Sequence, residues 1–278
     1  MNISFEKYEG AGNDFIMINN LDGNIKLEPS EIVHICDRHF GIGADGIILV
    51  EKSKKPEADC FMNYYNSDGT EAEMCGNGIR CTAKFFLSQI VGNRTSNNSE
   101  ILIDTRAGIK KIIKNNDDTY SVNMGMPIFE SSDFPTCQTC GEIQGYDLNF
   151  VSMGNPHAVT FVKDVNDIDV KLIGSKIEND FHFPNKTNVE FVQKIDENNY
   201  KVRVWERGCG ETLACGTGAC AVYAILNKLS PRHGLGELLE NEIILEFLGG
   251  KLYLSKNRDG AIILRGPAEF VFKGEIEN

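Results

Sequence analysis

The apolar positions of this chain fall mostly into short runs of the kind a strand needs, set off by glycine, asparagine and aspartate turns. Ile3 and Phe5 alternate with polar neighbours, a Gly10-Ala11-Gly12-Asn13-Asp14 loop follows, and Phe15 to Ile18 continues as a strand. Further strands are predicted at 46–50, 60–65, 101–104, 109–113 and 120–124, then at 148–153, 158–162, 189–194 and 201–205. The chain closes with runs at 243–247, 252–254, 261–264 and 270–272. Helical spacing is confined to a few stretches. Pro29 and Ser30 suit a first turn, so a short helix is predicted over 29–38, broken by Gly41-Ile42-Gly43. A longer one is predicted over 77–90, where Ile79, Ala83, Phe86, Leu87 and Ile90 share a face. Others are predicted over 170–177 and 217–228. The last is apolar nearly all round, as a core helix wrapped by the strands of its own half would be. The polar stretch 93–99 reads as a loop.

Laid against itself, the chain repeats. Met74-Cys75-Gly76-Asn77-Gly78 recurs 140 positions later as Ala214-Cys215-Gly216-Thr217-Gly218, and the same offset pairs Glu71 with Glu211. At nearly that offset Gly12-Asn13 recurs as Gly154-Asn155. A repeat at half the chain length predicts a duplicated domain. The expected architecture is α/β (α+β) in two similar halves: 1–124, which the C-terminal strand 266–278 can complete, and 125–265.

Composition narrows the chemistry. With 278 residues, 41% of them hydrophobic, the chain can build two cores. No apolar run reaches the ~18 residues of a membrane span, and the first residues lack a signal-peptide pattern. Nine cysteines without an export signal predict free thiols in a reducing cytoplasm. A net charge of −12 argues against nucleic acid, so the expected partner is a small polar molecule.

Each repeated cysteine stands at the start of a helix, where unpaired amides and the helix dipole favour an anion. Its pKa is therefore expected to fall below the ~8.5 of a free thiol. The amides around Gly76 and Asn77, and around Gly216 and Thr217, suit a carboxylate. Two matched thiols, one ionised and one protonated, solve a particular problem: inverting a carbon that bears hydrogen takes a base on one face and an acid on the other. Other readings stay open on the residues alone. Cys215 and Cys220 have a zinc-like gap, yet five helical steps put them on different faces. Cys137-Gln138-Thr139-Cys140 lacks a second pair. A thiol-nucleophile hydrolase would need only one cysteine with a histidine. Gly76-Asn77-Gly78 lacks the lysine of a phosphate loop.

The quoted motifs resemble those of the diaminopimelate epimerase family. The resemblance runs nearly end to end: Gly10 to Phe15, Asn66-Ser67-Asp68-Gly69 ahead of the first cysteine loop, Gly154-Asn155-Pro156-His157, Asn188, and Trp205-Glu206-Arg207-Gly208 ahead of the second. It implies two halves, each a mixed sheet curled around a central helix, with the site in the cleft between them and a homodimeric assembly. It implies a cofactor-independent epimerase of lysine and peptidoglycan precursor synthesis, using neither metal nor pyridoxal phosphate. Cys75 and Cys215 would be the acid–base pair. Gly76, Asn77, Gly216 and Thr217 would hold the carboxylate at the reacting carbon, and Asn13, Asn66, Asn155 and Asn188 would line the pocket. Arg207 would take the distal carboxylate and Glu206 the distal ammonium, with His157 and Glu206 tuning the thiols. Gly46 departs from the pattern, because some members carry a substrate-contacting glutamine there. Racemases of single-carboxylate amino acids such as proline are the nearest alternative.

Overall fold

The computed structural model describes residues 2–91, 100–134, 140–229 and 242–277. The predicted loop at 93–99 and Cys137 lie outside them. The chain divides into two compact units, 1–122 with 266–278, and 123–265.

In unit 1, β1 (Ile3–Gly10) and β2 (Asn13–Asn20) form a hairpin whose turn places Ala11 and Gly12 at positive φ. Helix α1 (Pro29–Cys36) then crosses to β3 (Gly46–Glu51), parallel to β2. The helix stops two residues short of the prediction. Asp37 takes an extended backbone there, and its carboxylate accepts the amides of His39 and Phe40, which turns the chain away. β4 (Cys60–Asn66) pairs antiparallel with β3 and leads through a tight turn to α2 (Gly76–Phe85). β5 (Glu100–Asp104) returns parallel to β4, followed by the antiparallel β6 (Lys110–Lys114) and β7 (Tyr120–Gly125).

Unit 2 repeats the plan. It opens with the hairpin of β8 (Cys140–Ile143) and β9 (Tyr146–Ser152), and β9 pairs antiparallel with β10 (Pro156–Phe161). Helix α3 (Val170–Glu178) crosses to β11 (Asn188–Lys194), parallel to β10. β12 (Asn199–Glu206) pairs antiparallel with β11 and folds back as β13 (Gly210–Thr212) before α4 (Gly216–Leu229). β14 (Ile243–Phe247) is parallel to β12, and β15 (Gly250–Lys256) and β16 (Ile262–Gly266) complete the run antiparallel. The last strand, β17 (Glu269–Ile276), then pairs antiparallel with β1 in unit 1.

The order β17-β1-β2-β3-β4-β5-β6-β7 thus has the same sequence of parallel and antiparallel neighbours as β8-β9-β10-β11-β12-β14-β15-β16. The register agrees residue by residue. Phe15 stands opposite Gly46 and Gly46 opposite Asn66, as His157 stands opposite Asn188. Val189 opposite Trp205 puts Asn188 beside Glu206. Asn13, Gly46, Asn66 and Cys75 therefore correspond to Asn155, Asn188, Glu206 and Cys215.

Each unit winds its strands about one apolar helix: α2 packs on β1, β2, β3, β5 and β6, and α4 on β9, β10, β11 and β15. Ile79, Ala83, Ala219, Val222 and Ile225 are wholly buried there. A second layer covers the outer face of each sheet. Ile16, Ile18 and Ile47 meet Ile32 and Ile35 of α1 in unit 1, and Ala158, Val189 and Phe191 meet Val170 and Ile177 of α3 in unit 2. The helix predicted over 77–90 widens into a π-turn at Phe86–Val91. Phe85, Phe86 and Leu87 are all buried there, three successive large side chains that regular α-helical spacing would fan round the axis.

Candidate active site

Both repeated cysteines cap their helices with sulfur. Cys75 is the N-cap of α2 in extended backbone, and its Sγ accepts the amide hydrogen of Gly78 at 3.4 Å. Cys215 stands in the same place before α4, with Gly218 N–H donating to Sγ at 3.3 Å. First-turn amides have no carbonyl one turn back to bond, so each helix start offers an anion the N–H groups of Gly76 and Asn77, or of Gly216 and Thr217.

Around Cys75 the polar groups converge from β1, β2 and the segment before β3. The Cys75 thiol donates to Asn13 Oδ1 at 3.5 Å, and Asn77 Nδ2 donates to the same oxygen at 3.4 Å. The other end of the Asn13 amide is fixed, because Nδ2 donates to Asp45 Oδ2 at 2.5 Å. Arg38 holds Asp45 at 2.8 Å and clasps Asp14 with both Nη atoms, and Lys7 reaches Asp14 at 2.9 Å. Burial works to raise the Asp14 carboxyl, but the hydrogen bonds from Arg38 and Lys7 outweigh it and bring it down to about 2. Arg80, fully buried in α2, bonds Gly76 O and Asn77 Oδ1 at 2.9 and 3.1 Å and so fixes the Asn77 amide. Asn66 lies at the end of β4, its Nδ2 donating to Thr70 Oγ1 at 3.0 Å.

Cys215 has different company. Thr217 Oγ1 lies 3.4 Å from its Sγ and accepts Asn155 Nδ2 at 3.3 Å. Asn155 Oδ1 faces His157 Nε2 at 3.1 Å, and His157 Nδ1 faces Glu190 Oε1 at 2.7 Å. Glu206 accepts from Thr212 at 2.5 Å. Burial raises the Glu206 carboxyl, and hydrogen bonds from Thr212 and Cys215 oppose the rise. Asn188 spends its amide inside the protein: Nδ2 donates to Pro156 O at 2.7 Å, and Oδ1 accepts the backbone amide of Arg207 at 3.0 Å. The exposed Arg207 side chain donates to Asn185 O.

The expected depression of both thiol pKa values is corrected at Cys215. That thiol is pushed well above the ordinary cysteine range, by burial first and then by the charges of Glu206 and Glu190. The helix terminus and the bonds from Thr217 and Gly218 do not offset them.

Sequence reading missed Asp45, Arg80, Thr212 and Glu190. The signal that would have found Glu190 is a polar residue amid an apolar strand, matched by Ile48 in the other half. Gly46 is explained by space, since a Cβ there would meet Tyr65 O at 2.4 Å and the Tyr64 ring at 2.6 Å. Cys140 is exposed on β8. Among the described residues no group of three or more His, Cys, Asp or Glu side chains is arranged to hold a metal.

The fold is one that solved proteins including an amino-acid epimerase also adopt. A phenazine biosynthesis protein of the PhzF family from Bacillus anthracis superposes with a TM-score of 0.70 at 19% identity, covering 100% of both chains. A hydroxyproline epimerase from Agrobacterium vitis, with bound trans-4-hydroxy-L-proline, gives 0.70 at 12% identity over 99% of this chain and 91% of that one. In sequence, the model of the diaminopimelate epimerase family matches residues 5–130 and 149–271. The diaminopimelate epimerase of Prochlorococcus marinus is 44% identical over the full length of both chains, and that of Vesicomyosocius okutanii is 40% identical over the same extent. The chain belongs to the diaminopimelate epimerase family.

Proposed function

We propose that this protein is an isomerase that interconverts LL- and meso-2,6-diaminopimelate by thiol acid–base chemistry, supplying lysine and peptidoglycan synthesis. The observation that carries the proposal is the sulfur-capped helix present at the same place in both units, joined to membership of the family. One sulfur, as thiolate, takes the hydrogen from the α-carbon and leaves a carbanion beside the carboxylate. The other, as thiol, gives its proton to the opposite face, and the roles reverse in the return direction. Both halves of the step use only sulfur, so the proposal needs no cofactor.

The α-carboxylate is held by the amides of Gly76, Asn77, Gly216 and Thr217, which also stabilise the charge that spreads onto it when the proton leaves. Asn13, Asn66, Asn155 and Asn188 supply neutral hydrogen-bonding groups, Asn188 by fixing the Arg207 backbone. Arg207 takes the distal carboxylate and Glu206 the distal ammonium. Glu206 and His157 tune Cys215, since Glu206 both accepts its hydrogen bond and holds its thiol protonated.

No helix among the described residues is long and apolar enough to cross a membrane. We place the enzyme in the cytoplasm, where a reducing medium keeps Cys75 and Cys215 as thiols. A homodimer belongs to the same proposal. Phe270, Val271 and Phe272 on β17 are 46%, 51% and 43% exposed, a run of apolar side chains that a second copy would cover.

The test is conversion of LL- to meso-diaminopimelate by the purified protein without added cofactor, with proline and histidine as comparison substrates. Conversion of diaminopimelate that collapses in Arg207→Ala supports the reading. Turnover of proline or histidine that is indifferent to Arg207 refutes it.

A further inference from the structure

Glu190 is wholly buried on β11, and its Oε2 has no hydrogen-bond partner among the described residues. A buried carboxylate so placed costs folding free energy. The fold does not require it. In the matching register of unit 1, Met17 stands opposite Ile48 as Val159 stands opposite Glu190, and Phe15 occupies the place of His157. Ile48 and Phe15 lie against the start of α2, where a Cβ added at Gly78 would meet them at 3.0 and 3.4 Å. At the start of α4 the atom such a Cβ would meet at Gly218 is Glu190 Oε1, at 2.6 Å. One half backs its cysteine-capped helix with hydrocarbon. The other backs it with an acid and a histidine.

From His157 to the sulfur the hydrogen bonds run in one direction. Asn155 Oδ1 is an amide oxygen and only accepts, so His157 Nε2, 3.1 Å away, carries hydrogen. Nδ1 then lies 2.7 Å from Glu190 Oε1, close enough that a hydrogen sits between them. With its oxygen engaged, Asn155 turns its NH2 to Thr217 Oγ1, which leaves the Thr217 hydroxyl hydrogen for Cys215 Sγ at 3.4 Å. The titratable groups facing Cys215 are Glu206 from β12 and Glu190 from β11, and His157 from β10 faces Glu206.

We propose that Glu190 is a positioning residue for the epimerisation: through His157, Asn155 and Thr217 it fixes the hydrogen bond that reaches Cys215. The proposal rests on the epimerase reading for its kinetic consequence but not for its structural one. Two variants separate them, Glu190→Gln, which keeps the shape, and Glu190→Ile, which copies unit 1. Glu190→Gln is expected to melt close to the unaltered enzyme, because its amide oxygen can still accept from His157, whereas Glu190→Ile leaves the buried His157 Nδ1 without a partner and is expected to melt lower. In both, kcat for diaminopimelate is expected to fall about tenfold with KM held within about twofold. In 15N-histidine NMR at the assay pH, the unaltered enzyme is expected to show a low-field hydrogen on His157 Nδ1, assigned by its loss in His157→Gln. Glu190→Ile is expected to lack it. Unchanged kcat in folded variants, activity lost only in step with folded protein, or no such hydrogen in the unaltered enzyme each overturns the proposal. If the unaltered protein fails to epimerise diaminopimelate, the epimerase reading falls, and the NMR comparison still decides whether Glu190 holds His157.

Discussion

At the scale of single residues, two sulfur atoms stand in equivalent places with unequal surroundings. Cys75→Ser and Cys215→Ser are each expected to lower turnover by about a thousandfold or more, since an alcohol is a far weaker acid than a thiol; chiral separation of the diaminopimelate isomers measures it. Asp14 makes a pH prediction. Arg38 and Lys7 hold its carboxyl at about 2 when folded, against about 3.9 in an unfolded chain. A depressed carboxylate contributes stability that is fully present above its unfolded value and is lost as pH falls through the folded one. Melting temperature should therefore drop between about pH 4 and 2, and drop less steeply in Asp14→Asn. The thiols, the asparagines and Glu206-Arg207 were named from spacing and resemblance. Glu190 was not, because its partner His157 lies 33 positions away, and only the strand register brings the two together.

At the scale of elements, the helices were legible because each carries an apolar face or a sharp start signal. The losses were local. β8 and β13 are short and polar, and their hydrogen bonds come from partner strands, so no hydrophobic period marks them. The start of β3, packed against the end of β4, sets a limit on substitution at Gly46. Gly46→Gln would drive a Cβ into the Tyr65 backbone oxygen at 2.4 Å, so it is expected to cost about 1–3 kcal/mol, read as a lowered melting temperature. β17 carries the assembly prediction. Phe272→Glu puts a charge in the exposed apolar run and is expected to shift the sedimenting species from dimer to monomer. A dimer that survives Phe270→Glu with Phe272→Glu would place the interface elsewhere.

At the scale of the molecule, the matched parallel and antiparallel order of the two strand sets gives the half-length repeat its physical meaning: one topology is built twice, and each copy delivers a sulfur at the start of its central helix. The repeat itself was legible because the glycines that start each helix leave little room for other residues; a Cβ at Gly78 or Gly218 would crowd atoms at 3.0 Å or closer. β17 pairs with β1 across as many as 273 positions, the return by which the strand 266–278 was expected to complete the first half. The central claim is that two monoprotic sulfurs act from opposite faces. The most direct test is a brief incubation with LL-diaminopimelate in deuterated water, followed by mass analysis of the separated isomers. Deuterium at the α-carbon of the meso product, with recovered LL-substrate still unlabelled at early times, is the expected result. Equal early labelling of both isomers would mean one base serving both faces, and product free of deuterium would mean no proton exchange with solvent; either contradicts the account.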